Sequence, residues 1–140
     1  MVVHFFFNNV AIRLEQRKRL KAFISELFGK ERKEFLSLNY VFCSDKYLLN
    51  INEEFLGHKD YTDIITFSLA ATSKPIQGEI YISVDRIKAN AASLGIKIQT
   101  ELHRVMFHGA LHLCGYRDKT PQEKGIMTQL EDRYLKLYFT

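Results

Sequence analysis

Cysteine is scarce in this chain, which limits what can hold it together. Only Cys43 and Cys114 occur, too few for a disulfide framework, so the expected compartment is a reducing one, the cytoplasm. Long apolar runs are lacking as well. No stretch approaches the roughly 20 residues that cross a bilayer, and no secretory h-region is recognisable. The N-terminal Val2-Val3-His4-Phe5-Phe6-Phe7 is short and stops at Asn8-Asn9, which reads as a strand and a turn. Repeats, linkers and low-complexity segments are missing, so nothing divides the chain. A single domain over residues 1–140 is expected, and 46% hydrophobic content suits it; a chain of this size buries about 68–70% of its unfolded surface. A strong charge bias is also absent. The net +4 and pI of about 9.1 favour an acidic partner such as nucleic acid without selecting a substrate.

What is present reads as alternating elements. Val2 to Phe7 is a strand. Ile12 to Phe28 carries Leu20, Phe23, Ile24, Leu27 and Phe28 at helical spacing, ended by Gly29. Phe35 to Cys43 is a strand with Leu36, Leu38, Tyr40 and Phe42 on one face. Asp45 caps a helix that runs through Leu56 to Gly57, with Asn52 near its end. Asp63 to Leu69, with Ile65, Phe67 and Leu69 on one face, and Glu79 to Val84 are strands. The link Ala70 to Gln77, with Ser73, Lys74 and Pro75, is short enough to make them antiparallel neighbours. Ser83 or Asp85 starts a helix ending at Gly95, and Thr100 caps the next. Thr120-Pro121-Gln122-Glu123 is a capping box opening a last helix with Met127, Leu130, Tyr134, Leu137 and Tyr138 inward. The order β-α-β-α-β-β-α-α-α describes an α+β fold, a four-stranded mixed sheet covered by helices.

The chemistry concentrates in His108-Gly109-Ala110-Leu111-His112-Leu113-Cys114-Gly115-Tyr116-Arg117-Asp118. On a helix, His108 and His112 stand at i and i+4 and project from one face. Gly115 accepts positive φ, ends the helix and lets the chain return Asp118 to the same point. Two imidazoles and a carboxylate form the tripod of a catalytic zinc, which keeps a fourth position open. A His pair on a merely polar helix face is the bland alternative. The metalloprotease pattern needs Glu after the first His, and Gly109 stands there, so a peptidase is disfavoured. A zinc ion lowers the pKa of coordinated water towards about 7 and polarises a phosphoryl oxygen, which makes phosphodiester hydrolysis plausible without a strong base.

These residues resemble the signature of the YbeY endoribonucleases, His-Gly-x-Leu-His-Leu-x-Gly-Tyr-Asp-His. His108, Gly109, Leu111, His112, Leu113, Gly115 and Tyr116 match it, while Arg117-Asp118 replaces the final Asp-His pair, so that the third ligand is Asp118 instead of His. Asn52, the block Thr62-Asp63-Ile64-Ile65-Thr66-Phe67 and the block Gly78-Glu79-Ile80-Tyr81-Ile82-Ser83 resemble further family motifs in the same order. The resemblance implies a zincin-like fold, one Zn2+ per chain, cleavage of single-stranded RNA, and maturation of the small-subunit ribosomal RNA precursor in association with the ribosome. Members also carry an Arg, thought to meet the phosphate, where Leu56 stands here. His58 and Lys59 are the nearby candidates to replace it, or solvated loop residues.

Other positions carry two readings each. Glu101 sits two turns before His108 and orients an imidazole or favours the helix N-terminus. Asp63 is an active-site or ligand-orienting carboxylate, or a turn residue. Cys114 is read as buried core. His103 and His4 are not expected to be ligands. Arg17-Lys18-Arg19 with Arg13 and Lys21 tracks a phosphate backbone or is solvated surface. Tyr61 and Tyr116 are the aromatics placed for base stacking. Three functions follow: a zinc-dependent single-strand endoribonuclease, the preferred reading; a non-catalytic RNA-binding ribosome-assembly factor with a structural metal; and a zinc hydrolase of another substrate.

Overall fold

A computed structural model describes residues 2–71 and 74–140. The elements run β1 (Val2–Phe7), α1 (Arg17–Lys30), β2 (Phe35–Cys43), α2 (Asp45–Leu56), β3 (Ile64–Ser68), β4 (Ile76–Ser83), α3 (Val84–Leu94), α4 (Ile98–Leu113) and α5 (Pro121–Tyr138). The strands form one sheet in the order β1-β2-β4-β3. β1, β2 and β4 are parallel, and β3 closes one edge antiparallel to β4. This is the expected α+β arrangement, with the βαβ step giving parallel pairing and the short link giving the antiparallel one.

Register lines the side chains of one face into rows. Phe5, Tyr40, Ile80 and Thr66 are neighbours across the four strands, and Phe7, Phe42, Ile82 and Ile64 form the next row. Each row is aromatic at β1 and β2 and aliphatic at β4, but the first turns polar at β3. Against this face pack Leu20, Ile24 and Leu27 of α1 and Leu102, Val105 and Met106 of α4, all buried. The Tyr40 hydroxyl donates to the Met106 carbonyl at 2.8 Å, satisfying its one polar group inside the core. The opposite face is covered at the β3/β4 end by α2, through Leu48 and Ile51 on Ile65, Phe67 and Tyr81. Among the described residues no helix is long and apolar enough to cross a membrane.

Several boundaries differ from the expectation, each for a local reason. α1 begins at Arg17, not Ile12, because Gln16 adopts left-handed φ of 51°. It continues through Gly29, and Arg32 instead takes the left-handed position at φ 58°, with Lys33 N–H bonding to the Phe28 carbonyl. In β2 the pairing with β4 slips between Phe35 and Ser37, so Phe35 turns inward and Leu36 lies exposed. Ser44, rather than Asp45, caps α2 by accepting from Tyr47 N–H, which frees the Asp45 carboxylate for Arg86. α4 starts at Ile98 behind Lys97, which makes no side-chain cap, so Thr100 is inside the helix. β3 is shorter than Asp63 to Leu69 and β4 starts earlier, at Ile76. Leu69 and Leu137 are exposed. Ser73 lies outside the described residues. Ser83 caps α3, and the Thr120–Glu123 capping box opens α5 as read.

The position of α4 depends on one glycine. A Cβ at Gly109 would sit 2.8 Å from Ile64 Cδ1 and 2.9 Å from Ile80 Cγ2, so the missing side chain is what lets the helix lie directly on β3 and β4. Gly109→Ala is expected to destabilise the protein despite the better helix propensity of Ala, a gain of up to about 1 kcal/mol. Overpacking costs about 1–3 kcal/mol, and Ile80 is fully buried. A lowered thermal midpoint checks this; an unchanged or raised one would show that the contact is slack.

Candidate functional site

The C-terminal half of α4 carries the site because one of its faces is not apolar. Leu102, Val105, Met106, Ala110 and Leu111 are buried in the core, which turns Glu101, Arg104, His108 and His112, at helical spacing, towards α5 and the free edge of β3. After Leu113 the backbone reverses at Gly115, with φ 107°. Tyr116 N–H bonds to the Leu111 carbonyl, and the Tyr116 hydroxyl donates to Glu31 Oε1 at 2.6 Å. Both ends of the turn are thereby tied. Asp118 is delivered next to the imidazoles just before the α5 cap.

The three side chains read from the sequence are brought together. His108 Nε2 lies 3.3 Å and His112 Nε2 3.4 Å from the same oxygen, Asp118 Oδ2. Ligand atoms of all three lie within 4.8 Å of one another. The other nitrogen of each ring is engaged. His108 Nδ1 is 2.5 Å from Glu131 Oε2, and His112 Nδ1 is 2.8 Å from the Tyr116 carbonyl. Both partners only accept, so each neutral imidazole carries its proton on Nδ1 and presents a lone pair at Nε2. Two lone pairs and a carboxylate oxygen facing one point repel unless a cation stands between them. The two imidazole–carboxylate separations match the roughly 3.3–3.4 Å between ligand atoms of a tetrahedral zinc with bonds of about 2.0–2.1 Å. The donor set therefore fits such an ion.

Behind the imidazoles runs a chain of charge built on two buried carboxylates. Arg104 donates from Nε and Nη2 to Glu101 at 2.8 and 2.6 Å, and from Nη1 to Glu131 Oε1 at 3.0 Å. Glu101 is fully buried and Glu131 almost so. Asn90 Nδ2 extends the chain to Glu101 and to Asp63. The bonds to Glu101 raise the Arg104 pKa above its ordinary value. Asp63 is shifted upward as well, because burial outweighs the nearby Arg104 and His108. Asp63, Arg104, His108, His112 and Asp118, with Thr62, Ile64, Thr66 and Val105, line one cavity of about 410 Å³.

The remaining candidates fall elsewhere. Glu101 touches Arg104 and neither of the two imidazoles; Glu131 is the carboxylate that orients an imidazole. His58, Leu56, Asn52 and Tyr61 line a neighbouring cavity that shares Thr62, Ile64 and Thr66 with the first. Lys59 lines neither. Buried Asn52 donates to the Asp60 carbonyl and so holds the intervening loop. The Tyr116 hydroxyl is committed to Glu31, whereas Tyr61 is exposed with the Arg86 guanidinium 5.2 Å from its ring. Cys114 is core, and burial pushes its thiol up to about 12. His103 stacks on Tyr138, and His4 meets Asn39. In the basic run, Arg17, Arg19 and Lys21 lie over the rings of Phe7, Tyr138 and Phe5. Glu131 and Arg104 were not singled out from the sequence. An acid between Met127 and Tyr134 at core-facing spacing is the signal for the first, and a cation one turn before His108 for the second.

Removing the guanidinium leaves two buried carboxylates uncompensated, so Arg104→Met should lower unfolding free energy by about 3 kcal/mol, read by denaturant titration. Asp63 behaves oppositely. With its pKa raised on folding, the native state binds more protons than the unfolded chain, and the contribution of this group to stability falls as pH rises through its range. Asp63→Asn is therefore expected to raise the melting temperature of the metal-free protein at neutral pH but not at acid pH. A lowered midpoint at neutral pH would mean that the carboxylate is stabilising where it stands.

Comparison with known proteins bears on the same residues. The family described as Endoribonuclease YbeY matches residues 7–138. Endoribonuclease YbeY of Cytophaga hutchinsonii is 45% identical over 135 residues, 96% of this chain and 94% of that protein. Endoribonuclease YbeY of Flavobacterium psychrophilum is 42% identical over 115 residues, 82% of this chain and 81% of the relative. The solution structure of TM1509 from Thermotoga maritima superposes with a TM-score of 0.67 at 24% identity, covering 99% of this chain and 89% of that one, and so shares the fold. With the matched residues running from the end of β1 through the other three strands, the two imidazoles and the turn to Asp118, the chain belongs to the YbeY endoribonuclease family.

Proposed function

We propose that this member of the family is a zinc-dependent endoribonuclease that cuts single-stranded RNA, acting in the cytoplasm on the small-subunit ribosomal RNA precursor and in contact with the ribosome. The whole chain serves as one hydrolase domain. The observation that carries the reading is the convergence of His108 Nε2, His112 Nε2 and Asp118 Oδ2, each with its lone pair towards one point. These three residues would hold the zinc ion. A zinc ion there supplies Lewis acidity, which offsets charge developing on a phosphodiester and makes water a better nucleophile near neutral pH. A closed structural site takes four protein ligands, whereas among the described residues three groups converge.

The residues around the ligands supply the rest. Glu131 and the Tyr116 carbonyl fix the rings, so that neither imidazole rotates its Nε2 away from the cleft. Asp63 is the carboxylate in the cleft wall not directed at a ring nitrogen. Its raised pKa suits it to take a proton from the attacking water and return one to the leaving oxygen. Arg104 donates three bonds to carboxylates, and a guanidinium has five N–H groups. The two without a partner among the described residues give the cavity wall a cation for a phosphate oxygen, in the absence of any cation at Leu56.

Chelation should lower the melting temperature and abolish cleavage of a single-stranded RNA, and added zinc should restore both, because an ion bound only by the folded state stabilises it. Asp118→Asn is expected to lose metal during gel filtration, and Glu131→Ala to weaken zinc retention roughly 10–100-fold. His112→Ala cleaving as fast as the parent would overturn the assignment, and Asp118→Asn retaining a full equivalent of zinc would remove Asp118 from the ligand set.

A further inference from the structure

β3 is the end strand of the sheet, and one side of its backbone faces the site. In its antiparallel pairing with β4, Leu69 N–H bonds to the Gln77 carbonyl, and Ser83 N–H bonds to the Asp63 carbonyl. Odd-numbered residues of this strand therefore direct both main-chain groups to β4, and Ile64, Thr66 and Ser68 direct theirs outward. The Ile64 carbonyl already accepts from the Thr62 hydroxyl at 3.2 Å. The N–H and C=O of Thr66, and those of Ser68, have no partner among the described residues. Such an edge binds whatever chain lies along it.

What lies along it is indicated by the surroundings. Thr66 forms part of the wall of the cavity holding His108, His112 and Asp118, and of the cavity holding His58 and Tyr61, so the two open on either flank of the same edge. Ser68, further along, lines a third cavity together with Arg32 and Lys33. We infer that the outward main-chain groups of Thr66 and Ser68 form a ledge for the backbone of single-stranded RNA on either side of the cleaved bond. The N–H groups donate to phosphate oxygens, and the Thr66 carbonyl accepts from a ribose 2′-hydroxyl. This rests on the proposed nuclease function. A polypeptide strand needs a run of alternating free groups, and only two residues here have both free, whereas a polyanion gains from the cations at the Ser68 end.

Proline at position 66 removes one outward N–H and no ladder bond, a placement that edge strands tolerate. In zinc-loaded protein, Thr66→Pro should raise KM for a single-stranded RNA roughly tenfold with kcat and zinc content retained, the loss expected for one hydrogen bond to a charged group. A second measurement needs no substitution: amide exchange at Thr66 and Ser68 should slow on adding a single-stranded phosphorothioate RNA oligonucleotide, which resists cleavage and keeps its 2′-hydroxyls, with Ile65 and Phe67 unchanged. Binding of the oligonucleotide with Thr66 exchange unaltered would overturn the ledge and leave the nuclease reading intact. Protection by a strand-forming peptide and not by the oligonucleotide would overturn it in favour of strand addition. A parent protein that neither binds nor cleaves RNA would overturn the nuclease reading and the ledge together.

Discussion

Glu131 bonds to Arg104 and to His108 at the same time, and the geometry of the site depends on that double contact. A carboxylate this deeply buried is costly unless both oxygens are engaged. One oxygen meets a guanidinium and the other an imidazole, and the same guanidinium neutralises fully buried Glu101. The chain of charge therefore does two jobs in one piece of structure. It docks α5 on α4, and it fixes the tautomer of His108 so that Nε2 is the atom presented to the cleft. No buried side-chain nitrogen or oxygen among the described residues lacks a partner, which is the condition under which a polar network rigidifies instead of destabilising.

Precision at the imidazoles also requires that α4 be placed close to the strands, and here apolar packing sets the limit. Gly109, between the two histidines, removes the one side chain that would hold the helix off Ile64 and Ile80. The helix then lies against the edge strand, and Thr66, at the polar end of an otherwise apolar row, comes to the cleft wall. Gly109 thus has a role beyond displacing the general base of a protease motif. It joins the histidine face of α4 and the free edge of β3 in one cavity.

How much of this is legible in the sequence follows from the range of the interactions. His108, His112 and Asp118 are related by one helix and one turn, so local geometry suffices, and the structure brings them together. The strand order was readable in part for the same reason: a short link forces β3 and β4 together, and a helix between β1 and β2 makes them parallel. Glu131 was not, because its partner on α4 is fixed by how two helices cross, which periodicity does not encode. Leu36 misled because a bulge reverses the alternation at the start of β2. Gly29 misled because Arg32 takes the left-handed residue instead. Asp63 lay between these cases. Its place before a buried strand marked it, but only the packing of α3 and α4 explains why its carboxyl is held above its ordinary range.

The charge inventory explains why such a site belongs with a divalent cation. When ionised, Asp63, Glu101, Asp118 and Glu131 surround a single guanidinium, Arg104, and two imidazoles whose protons sit on Nδ1. Left alone, this corner is strongly negative within a chain of net charge +4, and it would repel the phosphodiester it is proposed to cut. A dication held by the three converging atoms reverses the field at the point where the phosphate must sit. The anionic ligands then retain the ion, and their excess charge is directed at the ion instead of the substrate. In the proposed mode Arg104 meets the reacting phosphate, and the rest of the RNA chain would be held by groups outside that corner: the outward amides of β3 and the cations Arg32 and Lys33 beyond Ser68. Separating the two tasks resolves the conflict between a negative metal site and a negative substrate, since the residues that bind the ion are not those that hold the strand.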